Sequence, residues 1–91
     1  MFSIKYTAKA ENNLFEIYSY IAEDNPFMAA KVILQIKSSM EILKIFPLSW
    51  RVLEEDYRCV VESKHNYKIV YKFSEGVIYI ISISKYRDSW K

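Results

Sequence analysis

The residues best suited to chemistry are cations placed beside aromatic rings near the end of the chain. Lys85, Tyr86 and Arg87 are consecutive, and Trp90 follows shortly after them. Lysine and arginine bind phosphate oxygens or carboxylates, and a tyrosine or tryptophan ring can stack on a nucleic-acid base. Further cations suited to an anionic partner lie earlier in the chain, at Arg51, Arg58 and Lys68.

The charges are distributed unevenly along the chain, although the net charge is only +2. Six lysines and arginines and eight carboxylates precede Arg58, whereas seven cations and three carboxylates lie from Arg58 onward. Such asymmetry indicates an anionic partner for the basic part, either phosphate or an acidic protein segment. A solvated basic surface is the alternative interpretation.

Three other polar groups are interpreted as structural. His65, the single histidine, lies in a predicted turn and is expected to be a solvated surface residue. Cys59 lies in a predicted strand and is expected to be a small buried thiol rather than a nucleophile. The adjacent carboxylates of residues 54–56 cannot all converge on one ion. We therefore expect no metal site and no cofactor.

Length and composition predict one folded domain over residues 1–91. The chain is 52% hydrophobic with one glycine and two prolines, which is too much core material for a disordered segment. A single cysteine cannot form an intramolecular disulfide, which favours a reducing, cytoplasmic location. No secretory signal is visible, and no apolar run approaches the roughly 20 residues that a membrane-spanning helix needs. We therefore expect no membrane partner.

The first half of the chain predicts a short strand followed by two amphipathic helices. Apolar side chains alternate over residues 2–6, and then recur at helical spacing on both sides of Pro26. Thr7 and Asn25 are the predicted N-caps, and Phe46-Pro47 is the predicted end of the second helix. The connection between the helices is short enough to make them an antiparallel hairpin.

The second half predicts three strands, at residues 57–62, 67–73 and 77–84, with a further short strand near residues 51–53. The last run is apolar at nearly every position, so we expect it to be covered on both sides and to pair with or flank the N-terminal strand. The resulting β-α-α-β-β-β order belongs to the α+β class, with a three- to four-stranded, largely antiparallel sheet.

The helical hairpin is expected to cover one face of this sheet and to leave the other face uncovered. Apolar and basic residues would then share the uncovered face, as is typical of a binding surface. The residues predicted there are Arg58, Lys68 and Lys72, among Val60 and Val70.

Several segments, taken together in order and spacing, are similar to one known family. They are the helix break at residues 20–26 with the alanine pair 29–30, the Phe46-Pro47 ending, the Arg58 strand, and residues 67–71 and 81–88. Over essentially its whole length the chain resembles the RelE/ParE superfamily of toxins from type II toxin–antitoxin (plasmid stabilisation) systems. The resemblance implies a cytoplasmic toxin that a cognate antitoxin holds inactive.

The resemblance implies two activities, because members of this superfamily share a fold and differ in target. ParE-like members poison DNA gyrase, and we expect the basic C-terminal segment to bind such a target here through Lys85, Tyr86, Arg87 and Trp90, together with Arg51. RelE-like members cut messenger RNA on the ribosome without a metal, and the matching catalytic positions are Arg58, Lys68, Lys85 and Arg87. A degenerate module that only binds antitoxin is a third alternative.

The residues of the strand predicted at 57–62 favour the ParE-like alternative. Attack by a ribose 2′-hydroxyl on phosphate needs a base, an acid and several cations. Residues 59–61 are uncharged where the nucleases tend to have cations, and Glu62 adds a carboxylate that repels phosphate. The long hairpin and the ending soon after Arg87 also look ParE-like. We therefore predict a growth-inhibiting gyrase poison that is not itself an enzyme.

Overall fold

The computed structural model describes residues 1–91 and consists of one sheet with two helices packed on one of its faces. Its strands are β1 (Ser3–Tyr6), β2 (Arg51–Glu54), β3 (Tyr57–Glu62), β4 (Tyr67–Ser74) and β5 (Val77–Lys85). Its helices are α1 (Ala8–Ala22) and α2 (Pro26–Met40), and a 3-10 helix, Glu41–Lys44, follows α2. The predicted α+β class is confirmed. Neither helix combines the length and the apolar character needed to cross a membrane.

The sheet has the strand order β1-β5-β4-β3-β2. β1 runs parallel to β5, with Ile4 opposite Ile78, and the other three pairs are antiparallel. The predicted pairing of the N-terminal strand with residues 77–84 is therefore confirmed. The short strand expected near residues 51–53 is β2, which makes this a mixed sheet of five strands.

The side chains of Thr7 and Asn25 cap the N-termini of α1 and α2, as predicted. The Thr7 hydroxyl accepts a hydrogen bond from the Ala10 amide at 3.2 Å and donates one to the Ile80 carbonyl of β5 at 2.8 Å. The Asn25 side chain accepts from the Met28 amide at 3.1 Å, with Pro26 at the first helical position. Thr7 therefore caps α1 and also joins it to β5.

The second helix ends earlier than predicted, at Met40 rather than at Phe46-Pro47. The Glu41 amide bonds to the Ser38 carbonyl, three residues back, and the chain continues as a 3-10 helix to Lys44. This tighter winding shifts the direction of the side chains. It brings Leu43 into the core, where it is fully buried.

The core lies between α1, α2 and the facing side of β3, β4 and β5. Tyr71 of β4 is its largest fully buried side chain, and its hydroxyl donates to the Pro47 carbonyl at 2.6 Å. Burial raises the pKa of Tyr71 to about 12, while the nearby Arg58 guanidinium acts in the opposite direction. The remaining core side chains come from these elements and from the 3-10 helix: Ala10, Val32, Ile36, Met40, Leu43, Val60, Tyr67, Ile69, Ile78, Ile80 and Ile83.

β5 is covered by helices on one side only, so the expectation of cover on both sides is met in part. Ile78 and Ile80 are fully buried under the helices, whereas Val77 and Tyr79, on the other face, are half-buried. Both helices pack on the same face because the short connection between them keeps α2 beside α1. A bulge at Ile81 shifts the pairing of β5 with β4.

Replacement of Tyr71 by phenylalanine tests the hydrogen bond between its buried hydroxyl and the Pro47 carbonyl. Loss of the hydrogen bond to Pro47 should lower the free energy of unfolding at neutral pH by about 1 kcal/mol. Because the folded-state pKa is about 12 and the ordinary value is 10.0, the folded wild type retains a proton that the unfolded chain loses. The advantage over Tyr71→Phe should therefore be complete below pH 10 and be lost as the pH rises from 10 toward 12.

Denaturant unfolding of both proteins at neutral pH and at about pH 11 measures this difference. A difference that stayed constant over this range would contradict the assignment of Tyr71.

Candidate functional site

The side of the sheet away from the helices, here called the open face, differs from the predicted one. Strand register puts Arg58 opposite Tyr71 and Val60 opposite Ile69, so both residues lie on the helix side. The prediction that Arg58 and Val60 lie on the uncovered face is therefore wrong. The alternating side chains of β3 were assigned to the two faces the wrong way round, which a shift of one residue is enough to cause. The open face consists of Tyr57, Cys59, Val61, Lys68, Val70, Lys72, Tyr79, Ser82 and Ser84.

Two polar residues of β3 are used for structure on the helix side. The Arg58 guanidinium donates to the Trp50 carbonyl at 2.9 Å, which holds the loop before β2 against the core. The Glu62 carboxylate is fully buried and accepts from the amides of Lys64 and His65, each at 2.9 Å. Glu62 therefore does not repel phosphate from the open face. Its carboxylate no longer counts against a nuclease, because the register of β3 with β4 places it on the helix side.

The C-terminal tail, residues 86–91, folds back across the open face. The Lys68 ammonium donates to the carbonyls of Tyr86 and Asp88, at 3.2 Å and 2.8 Å. The Trp90 ring contacts the Tyr57 ring with 5.1 Å between centroids. These contacts lead the tail from the end of β5 to the start of β3.

Polar contacts at the edges hold the same tail. The Arg51 guanidinium donates to the Tyr86 hydroxyl at 3.3 Å, and the Lys9 ammonium donates to the Trp90 carbonyl at 3.0 Å. Lys91 forms an ion pair with Glu54 at 2.8 Å, and this hydrogen bond raises the pKa of Lys91. Three of the predicted target-binding residues, Arg51, Tyr86 and Trp90, thus lie together on or beside the open face.

The tail accounts for burial on a face that no helix covers. Val70, Cys59 and Ser82 are almost completely buried there. The hydroxyls of Ser82 and Ser84 are buried without a hydrogen-bond partner, which carries a cost in free energy. The expected burial of Cys59 is confirmed. Burial raises the pKa of its thiol, against the opposing effect of the Arg51 and Lys68 cations, so the reactive thiolate is disfavoured at neutral pH.

A cavity of about 400 Å³, here called the end cavity, lies where the tail leaves β5. The Tyr86 amide donates to the Asn66 carbonyl at 2.7 Å and joins the tail to the turn between β3 and β4. The Lys85 ammonium lies 4.4 Å from the centre of the Tyr67 ring and 3.4 Å from the His65 carbonyl. The cavity is lined by His65, Asn66, Lys85, Tyr86 and Arg87.

His65 differs from the solvated residue that was expected. Its side chain is 25% exposed, and its Nδ1 atom lies 3.5 Å from the buried Glu62 carboxylate. The predicted turn is present, but Glu62 draws it toward the sheet. Sequence analysis therefore missed His65 and Asn66 as neighbours of Lys85 and Arg87. The residue type at position 66 was a signal for this turn. Asn66 has a backbone φ of 61°, a conformation that asparagine tolerates better than most residues.

The comparisons with known proteins agree with this fold. A family model described as the ParE toxin of the type II toxin–antitoxin system parDE matches residues 4–90. The chain belongs to the ParE toxin family. The predicted family is thereby confirmed, with the match covering both helices, β2 to β5, and all of β1 except Ser3 in this ParE-family chain. A search of curated protein sequences finds no match.

Two solved structures are similar to this ParE-family chain in fold. One belongs to a chromosomal ParDE toxin–antitoxin system from P. aeruginosa, with 21% identity, a TM-score of 0.81, and coverage of 93% of this chain and 96% of that one. The other is the isolated E. coli RelE toxin, with 15% identity, a TM-score of 0.73, and coverage of 98% and 88%.

The four cations predicted for a nuclease are not brought together in the ParE-family chain. Arg58 lies on the helix side with its guanidinium bonded to Trp50, and Lys68 lies on the open face bonded to the tail. Lys85 packs on Tyr67 at the helix-side end of β5, while Arg87 is exposed beside it. Of the four, only Lys85 and Arg87 share a cavity.

Replacement of Lys68 by methionine tests how the tail is held in the ParE-family chain. Loss of its two hydrogen bonds should loosen the tail, and Cys59 should then react with a small thiol reagent about threefold faster or more. Removal of a nearby cation would by itself slow this reaction by raising the thiol pKa, so acceleration reports uncovering. The rate of thiol modification in the native protein measures it.

Lys72→Met is the matched control, since Lys72 lies on the same strand and face but makes no hydrogen bond to the tail. Equal rates in both variants and the wild type would show that Lys68 does not hold the tail.

Proposed function

We propose that this ParE-family chain inhibits growth by binding DNA gyrase and stabilising its cleaved-DNA state. Family membership supports a toxin, and the placement of the cations supports a binding rather than a catalytic mechanism. The observation that carries this choice is the division of Arg58 and Lys68 between the two faces of the sheet. A ribonuclease needs several cations around one phosphate, whereas a poison needs only a surface that fits its target.

The end of β5 and the tail form the proposed target-binding surface. Lys85 and Arg87 place two positive charges beside the half-exposed ring of Tyr86. The Arg51 guanidinium donates to the hydroxyl of the same ring, and Trp90 lies further along the tail on Tyr57. Cations and aromatic rings that interleave in this way suit a protein–DNA complex, in which both phosphates and bases are accessible.

One observation favours a second candidate function, ribosome-dependent cleavage of messenger RNA. Arg51, Lys68 and Tyr86 meet on the open face, where two cations and an aromatic ring surround one position. The Lys68 ammonium is bonded to tail carbonyls, so an RNA phosphate would have to displace the tail to reach it. Arg58 takes no part in this arrangement, because it lies on the helix side.

A cognate antitoxin is the proposed partner. The outer side of the hairpin exposes large apolar side chains, with Phe15 68%, Tyr20 78% and Phe27 87% exposed. Exposed apolar surface of this kind marks an interaction site, and a partly helical, acidic antitoxin segment suits both this surface and the basic end of the chain. Antitoxin binding would also stabilise the folded toxin by mass action.

Induction of the chain in growing cells, with a growth curve and primer extension on abundant transcripts, tests the function. We expect arrest without new codon-phased cuts, and we expect co-expression of the neighbouring gene product to restore growth. Replacing Lys85, Tyr86 and Arg87 together by alanine should abolish the arrest, because the proposed surface loses both cations and the ring. Arrest by that variant at wild-type levels would refute the assignment of the surface.

The matched control replaces Lys31 and Lys37 of α2 by alanine. Both lysines are exposed, and their removal takes away the same charge at positions distant in sequence from the tail. Codon-phased cuts would move the conclusion to the ribonuclease, and the absence of any arrest would indicate a module that only binds antitoxin.

A further inference from the structure

β5 loses its neighbour on the β1 side part-way along its length. β1 pairs with residues 77–80 of β5, and the Thr7 amide donates to the Ile80 carbonyl at 3.1 Å. The chain then turns into α1 at Ala8, whereas β5 continues to Lys85. Residues 82–85 of β5 therefore have a strand neighbour, β4, on one side only, and their other edge is open.

Two backbone groups on this open edge have no hydrogen-bond partner within the chain. The Ile83 amide points away from β4, because it donates to the Asn13 side chain at 2.9 Å. The Tyr86 amide bonds to the turn before β4, so the Lys85 amide, one residue earlier, points to the open edge as well. The Lys85 carbonyl accepts from the Asp88 amide at 3.0 Å. The Ile83 carbonyl and the Lys85 amide remain unpaired.

These two groups are arranged as a parallel strand would need them. In a parallel ladder, one residue of the added strand donates to the carbonyl before the residue opposite it and accepts from the amide after that residue. Ser84, which lies between the two unpaired groups, would be the opposite residue. β1 is itself parallel to β5, so an added segment here would continue along the line that β1 leaves.

A groove of about 400 Å³, here called the side groove, lies between α1 and this open edge. Ile17 and Tyr20 of α1 line it, and Tyr20 is 78% exposed. Side chains of a strand alternate between faces, so the neighbours of a residue opposite Ser84 point to the helix side. An apolar side chain at either position would pack on Ile17 and bury surface that the chain leaves exposed.

The charges of the side groove favour a basic occupant. Glu16 and Asp88 both line it, and Asp88 takes part in none of the ion pairs of the chain. The one cation of the lining, Lys85, places its ammonium over the Tyr67 ring at 4.4 Å and bonds to the His65 carbonyl. Two negative charges and one positive charge therefore surround the groove, and a lysine or arginine side chain complements them.

We propose that the side groove binds an extended, basic segment of a partner protein, which lies parallel to β5 and pairs with it at Ile83 and Lys85. One apolar side chain of the segment packs on Ile17, and one basic side chain pairs with Asp88. Tyr20 also belongs to the hairpin surface proposed for the antitoxin, but the antitoxin segment is acidic and this one is basic. Binding here uses the Lys85 amide and not its side chain, so it is independent of the cation proposed to contact gyrase.

Amide hydrogen exchange of the full chain tests this pairing, with a blocked peptide, Thr-Val-Lys-Val-Thr, as the probe. In the free chain, the Lys85 amide should exchange about tenfold or more faster than the amides of Ser84 and Tyr86, which point toward β4 and its turn. The peptide should slow exchange at Lys85 about fivefold or more and leave the other two amides unchanged. A peptide with glutamate in place of lysine should protect Lys85 less.

Methylation of single peptide nitrogens tests the backbone contacts. Methylation of the central lysine nitrogen removes the donor to Ile83 and should abolish protection of Lys85, whereas methylation of a flanking valine nitrogen, which points away from β5, should leave it. Asp88→Asn should weaken binding of the lysine peptide about threefold. Glu11→Gln is the matched control, because it removes a carboxylate of α1 that does not line the groove and should leave the affinity as in the wild type.

A Lys85 amide that is already protected in the dilute free chain would show that the edge is not open. No protection at millimolar peptide, or equal loss on methylation at lysine and at valine, would show that no strand pairs there. Tighter binding of the glutamate peptide would assign the groove to an acidic segment, and protection that grew with the concentration of the chain alone would assign it to a second copy. Each of these results would overturn the inference.

Discussion

Both helices pack on the same face of the sheet, and this packing decides which residues the opposite face presents. Thr7 joins the start of α1 to the carbonyl of Ile80, and the short connection at Asn25 returns α2 to the same side. Ile36, Ile69 and Tyr71 then close a core on that side alone. The other face must be covered by the chain's own end or by a partner, because several of its residues are apolar.

The tail covers that second face with polar contacts more than with apolar packing. Lys68 binds two tail carbonyls, Lys91 pairs with the exposed Glu54, and the hydroxyls of Ser82 and Ser84 stay unpartnered underneath. Exposed ion pairs contribute little to stability, and a buried hydroxyl without a partner costs free energy. The tail is therefore bound less firmly than the helices, which suits a segment whose residues are proposed to engage a target.

The elements and their pairing followed from the sequence because their signals are local. Thr7, Asn25 and Pro26 mark helix starts by their own hydrogen bonding and backbone preferences, and alternation over residues 67–73 identifies the core side of β4. Which side of β3 faces the helices could not be predicted, because both alternating sets of its side chains contain apolar residues. A shift of one residue in the assignment moves every side chain of a strand to the opposite face. The fold of the tail and the neighbours of the end cavity did not follow either. They depend on contacts such as Lys68 with Asp88, which have no periodic signal.

Purified components can test the proposal that this chain binds gyrase rather than cutting RNA. The full chain is incubated with gyrase and supercoiled plasmid, and linear DNA is measured after the enzyme is denatured and digested. We expect linear DNA to accumulate with the wild-type chain, and an equal amount of the variant lacking the Lys85, Tyr86 and Arg87 side chains to produce none. If the wild-type chain produced no linear DNA under conditions in which a known gyrase poison does, the proposal that the chain poisons gyrase would be wrong.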